Sequence, residues 1–180
     1  MTAELEHWHD FYLLVGTAGA TLVALLFVAV SLGAGFLGEE RAAPTRAFYS
    51  PVVVHFTAVF FISAIGLFPA HNPVIFASLV GICATIGGTI SLITTVELLR
   101  HTWTRYVQDH LGYGLLPLIC YVALLVASAL VLAQHDYSLL LLGGTLLLLL
   151  IVNIRNAWDL MLSMVRQQTA REQEKKKKTG

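Results

Sequence analysis

Apolar and polar positions fall in blocks along this chain. Long apolar runs fill residues 11–37, 51–69, 73–99, 115–133 and 139–154, with short polar connections between them. A helix that crosses a hydrocarbon core of roughly 30 Å needs about 20 apolar residues. The runs therefore predict an all-α integral membrane fold of five transmembrane helices. Two starts carry their own signal. Ser50-Pro51 and Asn72-Pro73 each pair an N-cap residue with proline at the first helical position. Asp10 is placed to cap the first span. Trp8, Phe11 and Tyr12 are placed for the membrane interface, where amphipathic aromatic rings settle.

The fifth run does not end in a helix breaker. It passes into NIRNAWDLMLSMVR, residues 153–166. There Asn153, Asn156, Asp159, Ser163 and Arg166 recur every three or four positions and share one side of a helix. Ile154, Trp158, Met161, Leu162 and Val165 take the other side. The pattern predicts one helix that begins in lipid and continues as an amphipathic segment to about residue 168. Residues 1–168 then form one five-helix domain, and 169–180 a basic tail.

Composition narrows the class. The chain is 57% hydrophobic and 12% charged, where a soluble domain is about a quarter charged. That excludes a water-facing surface for most of the molecule. The leader MTAELEHWHD has no Lys or Arg, and the first apolar run is too long for a cleavable signal. Cys83 and Cys120 lie inside apolar runs and read as small buried residues rather than a disulfide.

The net charge of zero hides an asymmetry. All 11 basic residues lie in the first connection, the third connection and the C-terminal region. Cytoplasmic segments are enriched in Lys and Arg. An odd number of spans and this bias agree on an outside N-terminus and a cytoplasmic C-terminus. We expect a multi-pass protein of the plasma membrane, a bacterial inner membrane.

Small residues recur at helical spacing. Gly16 and Ala20, then Ala29 and Gly33, mark the first span. Ala77, Gly81, Thr85 and Thr89 form one row on the third, and Ala84 and Gly88 a second. Such rows let helices approach closely in lipid. They predict a central third span and a homo-oligomer.

Candidate chemistry gathers at the inner leaflet: His55, Glu97, Arg100, His101, Asn153, Arg155, Asn156 and Asp159. Ionisable groups within a span are costly and pair with one another or meet water. This polar network either lines a hydrated path or locks helices together. Haem needs paired histidines on facing spans, and His55 alone lies well within one. His7 and His9 would point to opposed sides of a helix, so a metal site is not expected. No nucleophile, zinc-protease or phosphate-loop motif occurs. Ser63 and Ser91 are expected to bond to helix backbones. We therefore expect no enzyme, no cofactor and no metal.

Lys175, Lys176, Lys177 and Lys178 would attract anionic lipid by about 1 kcal/mol each at a membrane surface. Nothing accompanies them that argues for nucleic acid. The expected partners are the lipid bilayer, further copies of the chain, and a larger membrane protein as an alternative. The leading functional expectation is an oligomeric channel or small-solute pathway with a polar cytoplasmic mouth. The alternatives are an accessory protein that modulates a larger membrane partner, and a membrane metal or redox protein.

Overall fold

A computed structural model describes residues 7–36, 51–68, 72–101 and 114–179, and these are all helix or short turn. Five helices follow in order: α1 (His9–Phe36), α2 (Pro51–Leu67), α3 (Pro73–His101), α4 (Leu116–Leu132) and α5 (Ser138–Thr179). Three carry segments long and apolar enough to cross a membrane, His9–Ala29, Pro73–Glu97 and Ser138–Asp159. The chain is thus a multi-pass membrane protein in contact with a bilayer. α2 and α4 are apolar but have 17 residues each, roughly 26 Å at 1.5 Å per residue. Two of the five expected spans are therefore shorter than the apolar runs suggested, because their ends are turned off early.

The stops and starts have local causes. The Asn72 side-chain oxygen accepts from the Val74 amide at 2.9 Å, capping α3 ahead of Pro73. Asp10 stands inside the first turn of α1 rather than at its cap, where its charge faces the positive helix end. Pro117 sits in the first turn of α4, where the missing amide costs nothing. α4 ends in a Schellman turn: His135 N donates to Leu130 O at 3.0 Å and Gln134 N to Val131 O at 3.1 Å. Gln134 takes the left-handed conformation there, with φ 55°.

α5 departs most from expectation. It has 42 residues and runs to Thr179, well past the expected end near 168. Residues 169–179 form no separate tail in backbone terms. Ala, Arg, Glu, Gln and Lys are strong helix formers, and no Gly or Pro interrupts them. The helix is roughly 63 Å long.

Sequence neighbours pack antiparallel. α1 lies along α2, with Gly16 against Ser63 and Gly66 against Tyr12. α3 lies along α4, with Gly81 against Ser128 and Gly88 against Tyr121. α5 packs on α4 and also meets α2 and α1, with Gly143 under Trp8 and Phe11. α2 and α5 therefore hold the middle. α3 is not central as its small-residue rows suggested. Its packed side carries Ala77, Val80, Ala84 and Ser91, all buried, while Ile75, Ile82, Ile86 and Ile93 are exposed. Thr85 and Thr89 are exposed too and donate to backbone oxygens of their own helix, Gly81 O and Thr85 O. Of the residues expected in close packing on α1, Gly16 is buried but Ala20 is exposed and Ala29 half-buried. Gly19, buried against Phe56 and Val59, replaces Ala20 at the interface. The Gly33 side of α1, the connections holding Arg41, Arg46 and Trp103, and Ser50, the expected cap of α2, lie outside the described residues.

Candidate functional site

The polar stripe of α5 divides in two. Asn153 is 0% and Asn156 2% exposed, whereas Arg155 and Asp159 are exposed. Ile154 and Trp158, on the apolar side, face outward. Within the bundle, α5 therefore turns its amides inward and its apolar side chains toward lipid. This suits a helix whose outer solvent is hydrocarbon. The side chains of Ser163 and Arg166 lie outside the described residues, as do those of Arg100, His101 and the four lysines. Glu97 is exposed, so it does not join Asn153 in the interior.

His55, one turn into α2, is 1% exposed. Its Nδ1 is 2.8 Å from the Tyr121 hydroxyl of α4. The rings lie 5.4 Å apart between centroids, tilted by 47°. Tyr121 is itself fully buried. Its ring lies on Gly87 of α3, so close that a methyl group there would run into it. Three helices thus build this pair: α2 supplies the imidazole, α4 the phenol, and α3 the glycine that admits the ring.

Helix register brings α5 to the same depth. Tyr12 faces Gly66, while its neighbours Trp8 and Phe11 face Gly143, so Gly66 and Gly143 are roughly level. From Gly66 to His55 is about 16 Å along α2, and from Gly143 to Asn153 about 15 Å along α5. By depth alone, His55, Tyr121, Asn153 and, nearly one turn further on, Asn156 define one buried polar layer. Within it, His55 Nε2 and both side-chain atoms of Asn153 have no protein hydrogen-bond partner. A buried amide left unpaired costs about 1–3 kcal/mol.

A second set of buried polar groups sits nearer the start of α1. Tyr12 and Ser63 are both 0% exposed, and their hydroxyls have no protein partner. Val59 and Ile62, fully buried on α2, lie between them and His55. Several other hydroxyls among the described residues bond within their own helices. Thr17, Thr21, Ser31, Thr94, Thr95 and Thr145 donate to the carbonyl four residues earlier. Ser128 and Ser91 instead cross between elements: Ser128 Oγ donates to Ala77 O at 2.7 Å, and Ser91 Oγ to Gly114 O at 3.1 Å. Both cysteines are free thiols, Cys120 buried and Cys83 half-buried.

Of the expected network, the structure unites His55, Asn153 and Asn156 at one depth, and leaves Glu97, Arg155 and Asp159 at the surface. Tyr121 and Gly87 were missed. The usable signal was a tyrosine inside an apolar span, whose hydroxyl needs a partner when buried. No known family, characterised protein or solved structure matches the chain.

Proposed function

We propose that this protein is an ion or small-solute pathway of the plasma membrane, in which all five helices cross. The observation that carries the reading is Asn153, fully buried and unpaired at the depth of the His55–Tyr121 pair. Polar groups held in a membrane interior at a cost are retained where they line a route. The route runs along the side of α2 that carries His55 and Ser63, and opens to the cytoplasm near Asn156. Val59 and Ile62 form an apolar girdle on it, of the kind that gates by wetting and dewetting. The N-terminus is outside and the C-terminus cytoplasmic, in keeping with the distribution of Lys and Arg. The protein works as a homo-oligomer whose copies meet on exposed apolar helix faces, with each protomer holding its own polar layer.

The test is flux through purified protein in liposomes, at several pH values and voltages. Transport above that of empty vesicles, reduced by Asn153→Leu, supports the reading. Flux equal to empty vesicles under every condition removes it.

A second reading is favoured by one observation, the continuation of α5 to Thr179, roughly 30 Å past Asp159. Such a projection suits an accessory protein that reaches a larger membrane partner. Purification from native membranes separates the two. A stoichiometric second protein supports the accessory role, and a clean homo-oligomer opposes it.

A further inference from the structure

Four features of the polar layer bear on what it carries. The first is the hydrogen bond itself, 2.8 Å between His55 Nδ1 and the Tyr121 hydroxyl. Imidazole and phenol each donate and accept, so the bond can be made in either direction. The second is charge. Among the described residues, the buried polar groups are those of His, Ser, Thr, Asn and Tyr, with no Asp, Glu, Lys or Arg. A metal cation or an anion entering this layer would meet neither a counter-charge nor a ring of oxygens to replace its hydration shell. The third is room. Tyr121 rests so closely on Gly87 that not even a methyl fits between them. The fourth is the girdle, where Val59 and Ile62 are 0% exposed. A single file of water could bridge it for a species that moves by exchanging hydrogen bonds, but a hydrated ion needs far more space.

We infer that the species carried is the proton, relayed by the His55–Tyr121 pair; this rests on the pathway reading above. In one tautomer the Tyr121 hydroxyl donates to Nδ1, and Nε2 holds the ring proton. A proton arriving from water forms a new O–H bond at Tyr121 as the hydroxyl's original proton moves to Nδ1. The Nε2–H bond breaks and its proton passes to water on the Asn153 side. One proton enters, one leaves, and the pair stays neutral. To reset, the ring turns so that both nitrogens meet water on one side, Nδ1 gives a proton to that water as Nε2 takes one from it, and the ring and the hydroxyl rotate back; this exchange moves no net proton across and restores the first tautomer. Asn153, with an amide that donates and accepts, is the positioning residue for the receiving water.

The experiment uses full-length protein in liposomes holding a pH-sensitive dye, with a potassium gradient and valinomycin to set the voltage. Proton entry is expected well above that of empty vesicles, with Na⁺ and Cl⁻ fluxes equal to those of empty vesicles. Tyr121→Phe keeps the ring and its packing on Gly87 but loses the hydroxyl. His55→Gln keeps a polar side chain but cannot hand a proton from one nitrogen to the other. Each should lower proton flux about tenfold or more, the scale of losing one hydrogen bond, in protein that still assembles in detergent, with a thermal midpoint lowered only as far as the loss of that one buried bond requires. If one variant fails to assemble, the other still decides. Na⁺ or Cl⁻ moving as fast as protons overturns the inference and leaves the pathway. Wild-type proton flux in both variants overturns the relay. No flux of any ion removes the pathway, and the relay with it.

Discussion

Single residues set this bundle's spacing, and Gly87 is the sharpest case. A Cβ at Gly87 would collide with the Tyr121 ring, a rigid group already buried and bonded to His55. Gly144 has nothing within 4 Å of the same position. We therefore predict that Gly87→Ala destabilises by about 1–3 kcal/mol, the usual range for overpacking, and that Gly144→Ala is near neutral. Thermal unfolding in detergent distinguishes them, and equal midpoints would mean that α3 and α4 are not so closely packed. Gln134 offers the opposite sign. Its left-handed φ of 55° costs a non-glycine residue roughly 1–2 kcal/mol, and part of any gain from glycine is lost to greater freedom of the unfolded chain. Gln134→Gly should raise stability by about 0.5–1 kcal/mol on balance, read in the same melt. The chain announced His55 and Asn153, since polar residues inside apolar runs stand out. It did not announce their arrangement. The His55–Tyr121 bond joins residues far apart in sequence, and no periodicity within one helix encodes a partner on another. Small-residue spacing likewise ranked Ala20 with Gly16, because spacing gives a side of a helix without saying which side meets a neighbour.

At the level of elements, starts were more legible than ends. Proline fixes φ and lacks an amide, so Pro51 and Pro73 mark first turns in sequence as they do in structure. The end of α5 was misplaced because polarity was read as a boundary. Leaving the membrane changes a helix's solvent, but nothing in 169–179 withdraws helix propensity. The length of α5 also bears on its lysines. Lys175 lies roughly 24 Å along the helix from Asp159, and a membrane's surface potential decays within a Debye length of about 8–10 Å. An upright α5 would carry its basic end clear of the lipid headgroups they were expected to bind. Gln168→Pro tests the continuous helix. A proline in a helix interior costs about 3 kcal/mol and should open the extension without touching the buried layer. Trypsin should then cut at Arg166 and Arg171 markedly faster than in wild type, while the bundle's melt stays in place. Equal cleavage rates in the two proteins would mean that the extension is not a stable helix.

At the scale of the whole molecule, three crossings and five share the same parity. Three long spans and five spans both place Asp136 on the side of the N-terminus and Thr169 on the other. They differ for the end of α2. If α2 crosses, Phe68 returns to the side of His9; if α2 stays on the cytoplasmic side, Phe68 remains there with Thr169. Packing favours the crossing. α2 runs antiparallel to α1, with Gly66 against Tyr12 near one end and Phe56 against Gly19 further along, so both helices occupy the same depth. At roughly 26 Å, α2 is slightly short for a hydrocarbon core of about 30 Å, a mismatch that a bilayer accommodates by thinning at a small cost. Three single-cysteine variants decide the matter: Phe68→Cys, Asp136→Cys and Thr169→Cys, at positions that are all exposed. Each is made with Cys83 and Cys120 replaced by alanine. In intact cells, a membrane-impermeant maleimide should label Phe68→Cys and Asp136→Cys, and should reach Thr169→Cys only after permeabilisation. Phe68→Cys labelling together with Thr169→Cys would reduce the protein to three crossings. His55 would then lie on a helix that does not span, and the polar layer could not belong to a route through the membrane.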